Sequence, residues 1–311
     1  TATIFIICSV VCSVVKKTSP HIAGIIPIAG QKLDYNFPWH DCLQPVAANF
    51  LAIEHAVVEC AYAGCRTIWI VCHDDIQPLV RHRLGDYIQD PQKIERTAYQ
   101  RHPSDHRREI PIFYVPVHPN DRFKRDCLAW SAIYGIFSAK KMCRMLSKWL
   151  CPRRYFITFP YGIYSFSDIK ANRSRIVSNK NVFFSHEGKT VLDNEYLPFT
   201  MSFEDAEIFR KSVKRKGTGA YRSTKNPTKN RFGIEKMPIE ERYSARFFSL
   251  SDVFEFNVKK SEKAEVEWYY SIDSWEGLCE YLGSEERLLV KRPPKSILHY
   301  HEFAPIGVDI E

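Results

Sequence analysis

The chain has 311 residues, of which 45% are hydrophobic and 26% charged, and its formal net charge is +8. This is ordinary globular composition, which excludes global disorder, and the length admits one large domain or two modest ones. The ten cysteines form no CxxC pair and no regular spacing, so a disulfide framework is not expected. Cys60, Cys72 and Cys143 sit inside apolar runs, where a thiol packs as a small hydrophobe. A reducing, cytoplasmic compartment is the expectation.

Residues 1–15 are almost wholly apolar and lead into Lys16 and Lys17. The run is shorter than the roughly 20 residues of a spanning helix and lacks a leading positive region. Residues 1–20 are therefore expected to be a tail outside the fold, with no membrane partner. Regular patterning starts at His21. Residues 22–28 form a short apolar run without alternation, as in a strand buried on both faces. After a turn-rich stretch, Val46, Phe50, Ile53, Val57 and Cys60 recur at helical steps, which predicts a helix over 46–63 closed by Gly64. A second buried strand is expected at 66–72 (RTIWIVC). A second helix is traced by Leu79, Val80, Arg83, Leu84, Tyr87 and Ile88.

Residues 89–109 are polar and read as a loop or insertion. A third strand follows at 110–116, a long helix at 127–149 and a fourth strand at 154–160. Strand–helix alternation of this kind indicates an α/β, Rossmann-like fold, a mostly parallel sheet with helices on both faces. Beyond residue 180 the pattern turns mixed. It shows a strand at 182–185, a helix starting at Ser202 with Asp205 at capping spacing, strands at 253–258 and 266–272, a helix at 274–282 and a strand at 288–291. Residues 21–180 are thus read as an α/β half. Residues 181–311 are read as a mixed extension of the same domain. Between Arg210 and Arg231 stand nine Lys or Arg and no Asp or Glu, a block suited to polyanions.

In an open parallel sheet, ligands bind beyond the carboxyl ends of the strands. The segment after the first strand is the most informative there. Gly24-Ile-Ile-Pro27-Ile-Ala29-Gly30 is followed by Phe37-Pro38-Trp39, Leu43-Gln44-Pro45-Val46, Ile53-Glu54 and Ala63-Gly64. This series resembles the sugar nucleotidyltransferases, a family of GT-A-like fold. Their first strand ends in P-x-A-G, a glycine-rich loop wraps the triphosphate, and a P-K-x-L-x-P-V segment follows. Trp268-Tyr-Tyr-Ser-Ile-Asp273-Ser274 is similar to a late strand of that family whose carboxylate can ligate magnesium.

The resemblance implies a transferase that joins a nucleoside triphosphate and a sugar phosphate with Mg2+ and releases pyrophosphate. It implies nucleotide contacts at Pro27, Ala29, Gly30 and Gln31, and metal contacts at Asp273 and Asp168. The family's Gly-Thr-Arg after Gly30 is replaced by Gln31-Lys32-Leu33-Asp34, leaving Lys32 as the phosphate cation. Trp39 stands for the family's lysine, with His40 beside it as acid, base or phosphate ligand. No carboxylate stands at 159–162, where the family places a metal aspartate, and Asp168 is the nearest one. The alternative is a non-catalytic or repurposed member that keeps the pocket. A GT-A glycosyltransferase would need a D-x-D, and Asp74-Asp75 lack that spacing. Gly30→Val is expected to abolish nucleotide binding with little loss of fold.

Overall fold

The computed structural model describes residues 21–31, 34, 36–91, 94, 109–146, 151–217, 221–223, 234–236, 238, 244–256, 261–294 and 297–298. The tail 1–20, Lys32, most of 218–233, and His299 and His301 lie outside them. The chain opens with strand β1 (Ile22–Pro27), a short ribbon of β2 (Pro45–Ala47) and β3 (Phe50–Leu51), and helix α1 (Ala52–Ala63). Strand β4 (Thr67–Cys72), helix α2 (Gln77–Leu84), and strands β5 (Tyr87–Gln89) and β6 (Glu109–Pro116) follow. Next come α3 (Pro119–Lys124), α4 (Leu128–Leu146), β7 (Arg154–Ile157), β8 (Gly162–Tyr164) and α5 (Phe166–Ile176). The second half adds β9 (Val182–Ser185), β10 (Phe199–Ser202), α6 (Phe203–Gly217), β11 (Tyr221–Ser223) and β12 (Ile234–Lys236). It closes with α7 (Leu250–Val253), β13 (Glu262–Glu265), β14 (Tyr269–Ser271) and α8 (Trp275–Gly283).

The four predicted strands share one eight-stranded sheet, ordered β13-β9-β10-β7-β1-β4-β6-β5. Its centre is parallel: Ile25 of β1 pairs with Trp69 on one side and Ile157 on the other, and β6 continues beyond β4. β10 runs antiparallel to both β7 and β9, while β13 is parallel to β9. β1 is buried at every position, which is why its sequence shows no alternation. Strands from both halves of the chain thus belong to one sheet. Helix α4 covers β1 and β4 on one face with α6 against it, and α1 packs with α5. Among the described residues no helix is long and apolar enough to cross a membrane.

Several predicted boundaries move, each for a local reason. The helix expected over 46–63 starts at Ala52, because Asn49 turns with φ 54° and folds 45–51 into the β2–β3 ribbon. Val46 and Phe50 face the core from that ribbon, so their burial imitates a helical step. Gly85, at φ 74°, ends α2 and sends Tyr87 and Ile88 into β5. Val253 ends the short helix α7 instead of starting a strand, and Glu286–Leu288 form a 3-10 turn where a strand was expected. The first eight residues of the basic block, 210–217, belong to α6.

Gly64 stands where expected, at φ 90°, with its N–H on the Cys60 and Ala61 carbonyls. The capping box at Ser202 forms as well. Asp205 N donates to Ser202 Oγ (3.1 Å), and Ser202 N donates to Asp205 Oδ2 (3.4 Å). Ser202→Ala is expected to cost about 1 kcal/mol, the typical value for a lost N-cap. Urea denaturation of the two proteins reads it directly.

Candidate functional site

β1 ends beside the crevice where open sheets bind ligands. Ile28 N and Ala29 N both donate to the Val71 carbonyl (2.8 and 3.1 Å), and Ala29 O accepts from Ser131 Oγ (2.7 Å). Proline has no N–H. Pro27 and Ala29 are buried and build the strand end, the Ala29 N–H being taken by the Val71 carbonyl. Gly30 then turns with φ 82° and passes against the backbone of Cys127, whose N, Cα and C would lie 2.5–2.6 Å from a Cβ placed on it. The demand for glycine here comes from chain-to-chain packing at the start of α4.

From this turn Gln31 Nε2 donates to Tyr196 Oη (3.0 Å), and Tyr196 Oη donates to Asp273 Oδ2 (3.2 Å). The other Asp273 oxygen accepts from Ser271 Oγ (2.8 Å). A second tie runs from the N–H of Trp275, opening α8, to Asp34 Oδ2 (2.9 Å). The N–H of Asn36, and then that of Trp275, hold the Asp34 carboxyl below its ordinary range. The loop after β1 and the loop after β14 therefore meet across a cavity of about 200 Å³. Gly30, Gln31, Asn194, Tyr196, Arg246 and Asp273 contribute to its wall, with Phe247 and Phe248 as apolar surface. Burial, then the Asp273 charge, pushes the Tyr196 hydroxyl pKa up, so it stays a neutral hydrogen-bonding group. Tyr196, Asn194 and Arg246 were not legible as site residues. They come from loops without a motif, and only the positive φ of Asn194 (69°) marks an unusual backbone there.

His40 caps the 3-10 turn Asp41–Leu43, its Nδ1 accepting from Cys42 N at 3.4 Å. Burial lowers its pKa. Next to it lies a residue the sequence reading passed over. Asp41 is 1% exposed, and neither carboxylate oxygen has a hydrogen-bond partner among the described residues. Its nearest ionisable contact is His40 Nδ1, 3.3 Å from Oδ1. Burial, with the charges of Asp273 and Asp34 adding to it, pushes the Asp41 carboxyl up to about 6. Counted back from Leu43-Gln44-Pro45-Val46, the lysine position of K-x-L-x-P-V falls on Asp41, not on Trp39. Trp39 is half exposed and donates through Nε1 to Gln44 Oε1 (3.0 Å). The chain thus places a buried acid where the resemblance calls for a cation.

The expected metal pair does not assemble. In the β8–β14 ladder Ser271 lies opposite Gly162 and Tyr269 opposite Tyr164. Asp273 therefore follows the β14 end beside Gly162, whereas Asp168 lies beyond Tyr164 at the other end. There Asp168 Oδ2 accepts from Glu267 N (3.2 Å), and burial raises its pKa. Tyr161, within 159–162, is fully buried, with its hydroxyl donating to the Ile28 carbonyl (3.2 Å). Among the described residues no group of three His, Cys, Asp or Glu is placed to hold a metal ion. These residues do not fit a magnesium held by Asp273 and Asp168. His73, Asp74 and Asp75 do not form a metal cluster either. His73 contacts Asp126 (3.3 Å), Asp74 pairs with Arg122 (3.2 Å), and Asp75 Oδ1 accepts from Ile76 N.

No family model and no curated protein matches the sequence. Solved structures do match. A Bacillus anthracis protein assigned as a glucose-1-phosphate thymidylyltransferase, crystallised with sucrose, superposes with a TM-score of 0.53 at 11% identity. The match covers 88% of this chain and 98% of that one. UDP-glucose pyrophosphorylase in complex with UDP-glucose gives a TM-score of 0.47 at 12% identity, over 84% and 97% of the two chains, and adds no weight. Likeness at this identity shows architecture and leaves activity open. The chain has the fold of the sugar nucleotidyltransferases over nearly its whole length.

Proposed function

We propose that the protein is nucleotidyltransferase-like, and that the cavity at the end of β1 receives a nucleoside triphosphate and a sugar phosphate. The carrying observation is the chain of hydrogen bonds from Gln31 through Tyr196 to Asp273, which joins the two loops that resemble the family. Neutral amide and hydroxyl groups beside aromatic surface suit a hydroxyl-rich ligand. Arg246 is the cation among the described residues lining the cavity, and Lys32 is proposed to join it on phosphate. With His40 Nδ1 facing Cys42 N, Nε2 is the nitrogen left for a phosphate or a proton. In the reaction a sugar-phosphate oxygen bonds to the α-phosphorus, the bond to the β-phosphate oxygen breaks, and pyrophosphate leaves. Residues 181–311 would supply the acceptor side. The eight described cysteines are all free, which suits the proposed cytoplasmic compartment.

A second reading, binding without turnover, is favoured by Asp41. A buried carboxyl at the lysine position withdraws the charge that would stabilise a pentacovalent phosphorus. The test is a pyrophosphate-release assay over a panel of triphosphates and sugar phosphates, with and without magnesium, beside calorimetric titration. Turnover supports the transferase, and binding alone supports the second reading. Neither binding nor turnover would refute both. Tyr196→Phe should weaken binding by about 1–3 kcal/mol, since it removes a hydroxyl bonded to a charged partner. Unchanged affinity would exclude the cavity.

A further inference from the structure

A second cleft lies on the helical face, away from the Gln31–Tyr196–Asp273 chain. It is formed where α3 and the start of α4 approach α6, and its volume is about 370 Å³. Arg125, Lys141, Arg210 and Lys214 line it, against a single carboxylate, Asp121. Asp121 is already engaged by Arg125 at 2.6 Å. Among the described residues, and with Lys214 left out of the count, Arg125, Lys141 and Arg210 face one carboxylate that Arg125 already pairs, in a concave, partly buried place.

Such crowding is costly unless an anion balances it. The aromatic walls explain how it is held. The Arg125 guanidinium lies over the Trp130 ring (5.1 Å to the centroid), and Arg210 lies over Phe137 (4.2 Å). Stacking on rings fixes a guanidinium plane while leaving its N–H edge to donate. Two donors of the cleft have no acceptor among the described residues: Arg125 Nε and the indole Nε1 of Trp130, a side chain only 3% exposed. Burial, and then the charges of Arg210 and Arg125, lower the Lys214 pKa, and Asp121 offsets this only in part. Cations lie over the Trp130 and Phe137 rings, which leaves less stacking surface for a flat base. A compact anion matches what remains.

We propose that the cleft between α3, α4 and α6 is a binding site for a compact phosphate-bearing anion such as inorganic phosphate or pyrophosphate, held by Arg125, Lys141, Arg210 and Lys214. The site is separate from the proposed nucleotide cavity and does not depend on that reading. It accounts for the helical part of the basic block between Arg210 and Arg231, which the cavity does not use.

The test is calorimetric titration of the full chain with inorganic pyrophosphate and, separately, with phosphate and a ten-residue oligothymidylate. Three proteins are compared: wild type, the double variant Arg210→Gln with Lys214→Gln, and Asp273→Asn. Circular dichroism and thermal melts check that each is folded. Should the double variant fail to fold, Lys141→Gln, at an exposed position, takes its place. The expected result is saturable binding of pyrophosphate with a component that weakens at least tenfold in the double variant, or measurably in Lys141→Gln, and that persists in Asp273→Asn. Raising the salt should weaken wild-type binding. Three results would overturn the proposal: no saturable binding of either anion, binding lost in Asp273→Asn but kept in the double variant, or binding of the oligonucleotide alone. The last would make the cleft part of a nucleic-acid surface.

Discussion

Gly30→Ala is expected to destabilise the fold by about 2–5 kcal/mol. Two costs add. A non-glycine residue in the left-handed region costs about 1–2 kcal/mol, and Gly30 sits at φ 82°. The new methyl would also stand 2.5–2.6 Å from the backbone N, Cα and C of Cys127, atoms that cannot rotate away. Overpacking of that kind costs about 1–3 kcal/mol. Cys127 itself is buried at the entry to α4, the helix that covers β1 and β4, so yielding there disturbs the central layer. Urea denaturation measures the effect. The contacts of Gly30 with Cys127 lead to a different expectation from the sequence alone: a Gly30 variant should lose fold stability together with binding. A loss within the roughly 0.5 kcal/mol of an ordinary surface change would mean that the Gly30 turn is not pinned on Cys127.

Glu59→Gln should change how stability depends on pH. Glu59 lies under the sheet on α1 and is fully buried, with Oε2 accepting from Thr158 Oγ1 (2.6 Å) and Oε1 without a partner among the described residues. Burial pushes its pKa up to about 8, against 4.5 when exposed. Between those values the native state keeps a proton that the unfolded state has released, so stability falls as pH rises. His55, stacked on Phe166 (4.3 Å), has the opposite sign: burial lowers its pKa to about 3, and stability rises with pH up to 6.5. Above 6.5 the Glu59 contribution stands alone. Wild type should therefore lose about 2 kcal/mol between pH 6.5 and 8 that Glu59→Gln does not lose, at about 1.4 kcal/mol per pH unit. Denaturation curves across that range test it. Parallel behaviour of the two proteins would show that Glu59 is ionised in the native state.

What was legible in the sequence follows from how locally each feature is encoded. β1 and β4 are near-continuous apolar runs because both sheet faces are covered there, and such runs need no partner to be recognised; in β6 only Ile110 and Ile112 are buried. The Ser202 box and Gly64 were readable for the same reason, since a cap is written within four residues. The β2–β3 ribbon was not, because Val46 and Phe50 are buried by a turn at Asn49 whose core-facing spacing coincides with a helical one. The site was legible only by half. Gly30, Gln31 and Asp273 carry a motif and do line one cavity. Tyr196 enters it from the loop before β10 and Arg246 from the 3-10 turn Ser244–Phe247 before α7, which no local pattern announces. Asp41 was hidden differently: it stands in the motif, but its burial, and with it its raised pKa, exists only once the chain has folded and α1 has packed against the Asp41–Leu43 turn.

The central claim is that the cavity at the end of β1 is where the ligand sits. A crystal structure with a nucleoside diphosphate sugar tests this most directly. The account predicts the ligand in the cavity, with sugar hydroxyl or phosphate oxygens within hydrogen-bond distance of Gln31, Tyr196 or Asp273 and the Arg246 side chain turned toward the phosphates. Ligand bound elsewhere, with the Gln31–Tyr196–Asp273 chain unchanged and the cavity empty, would contradict it.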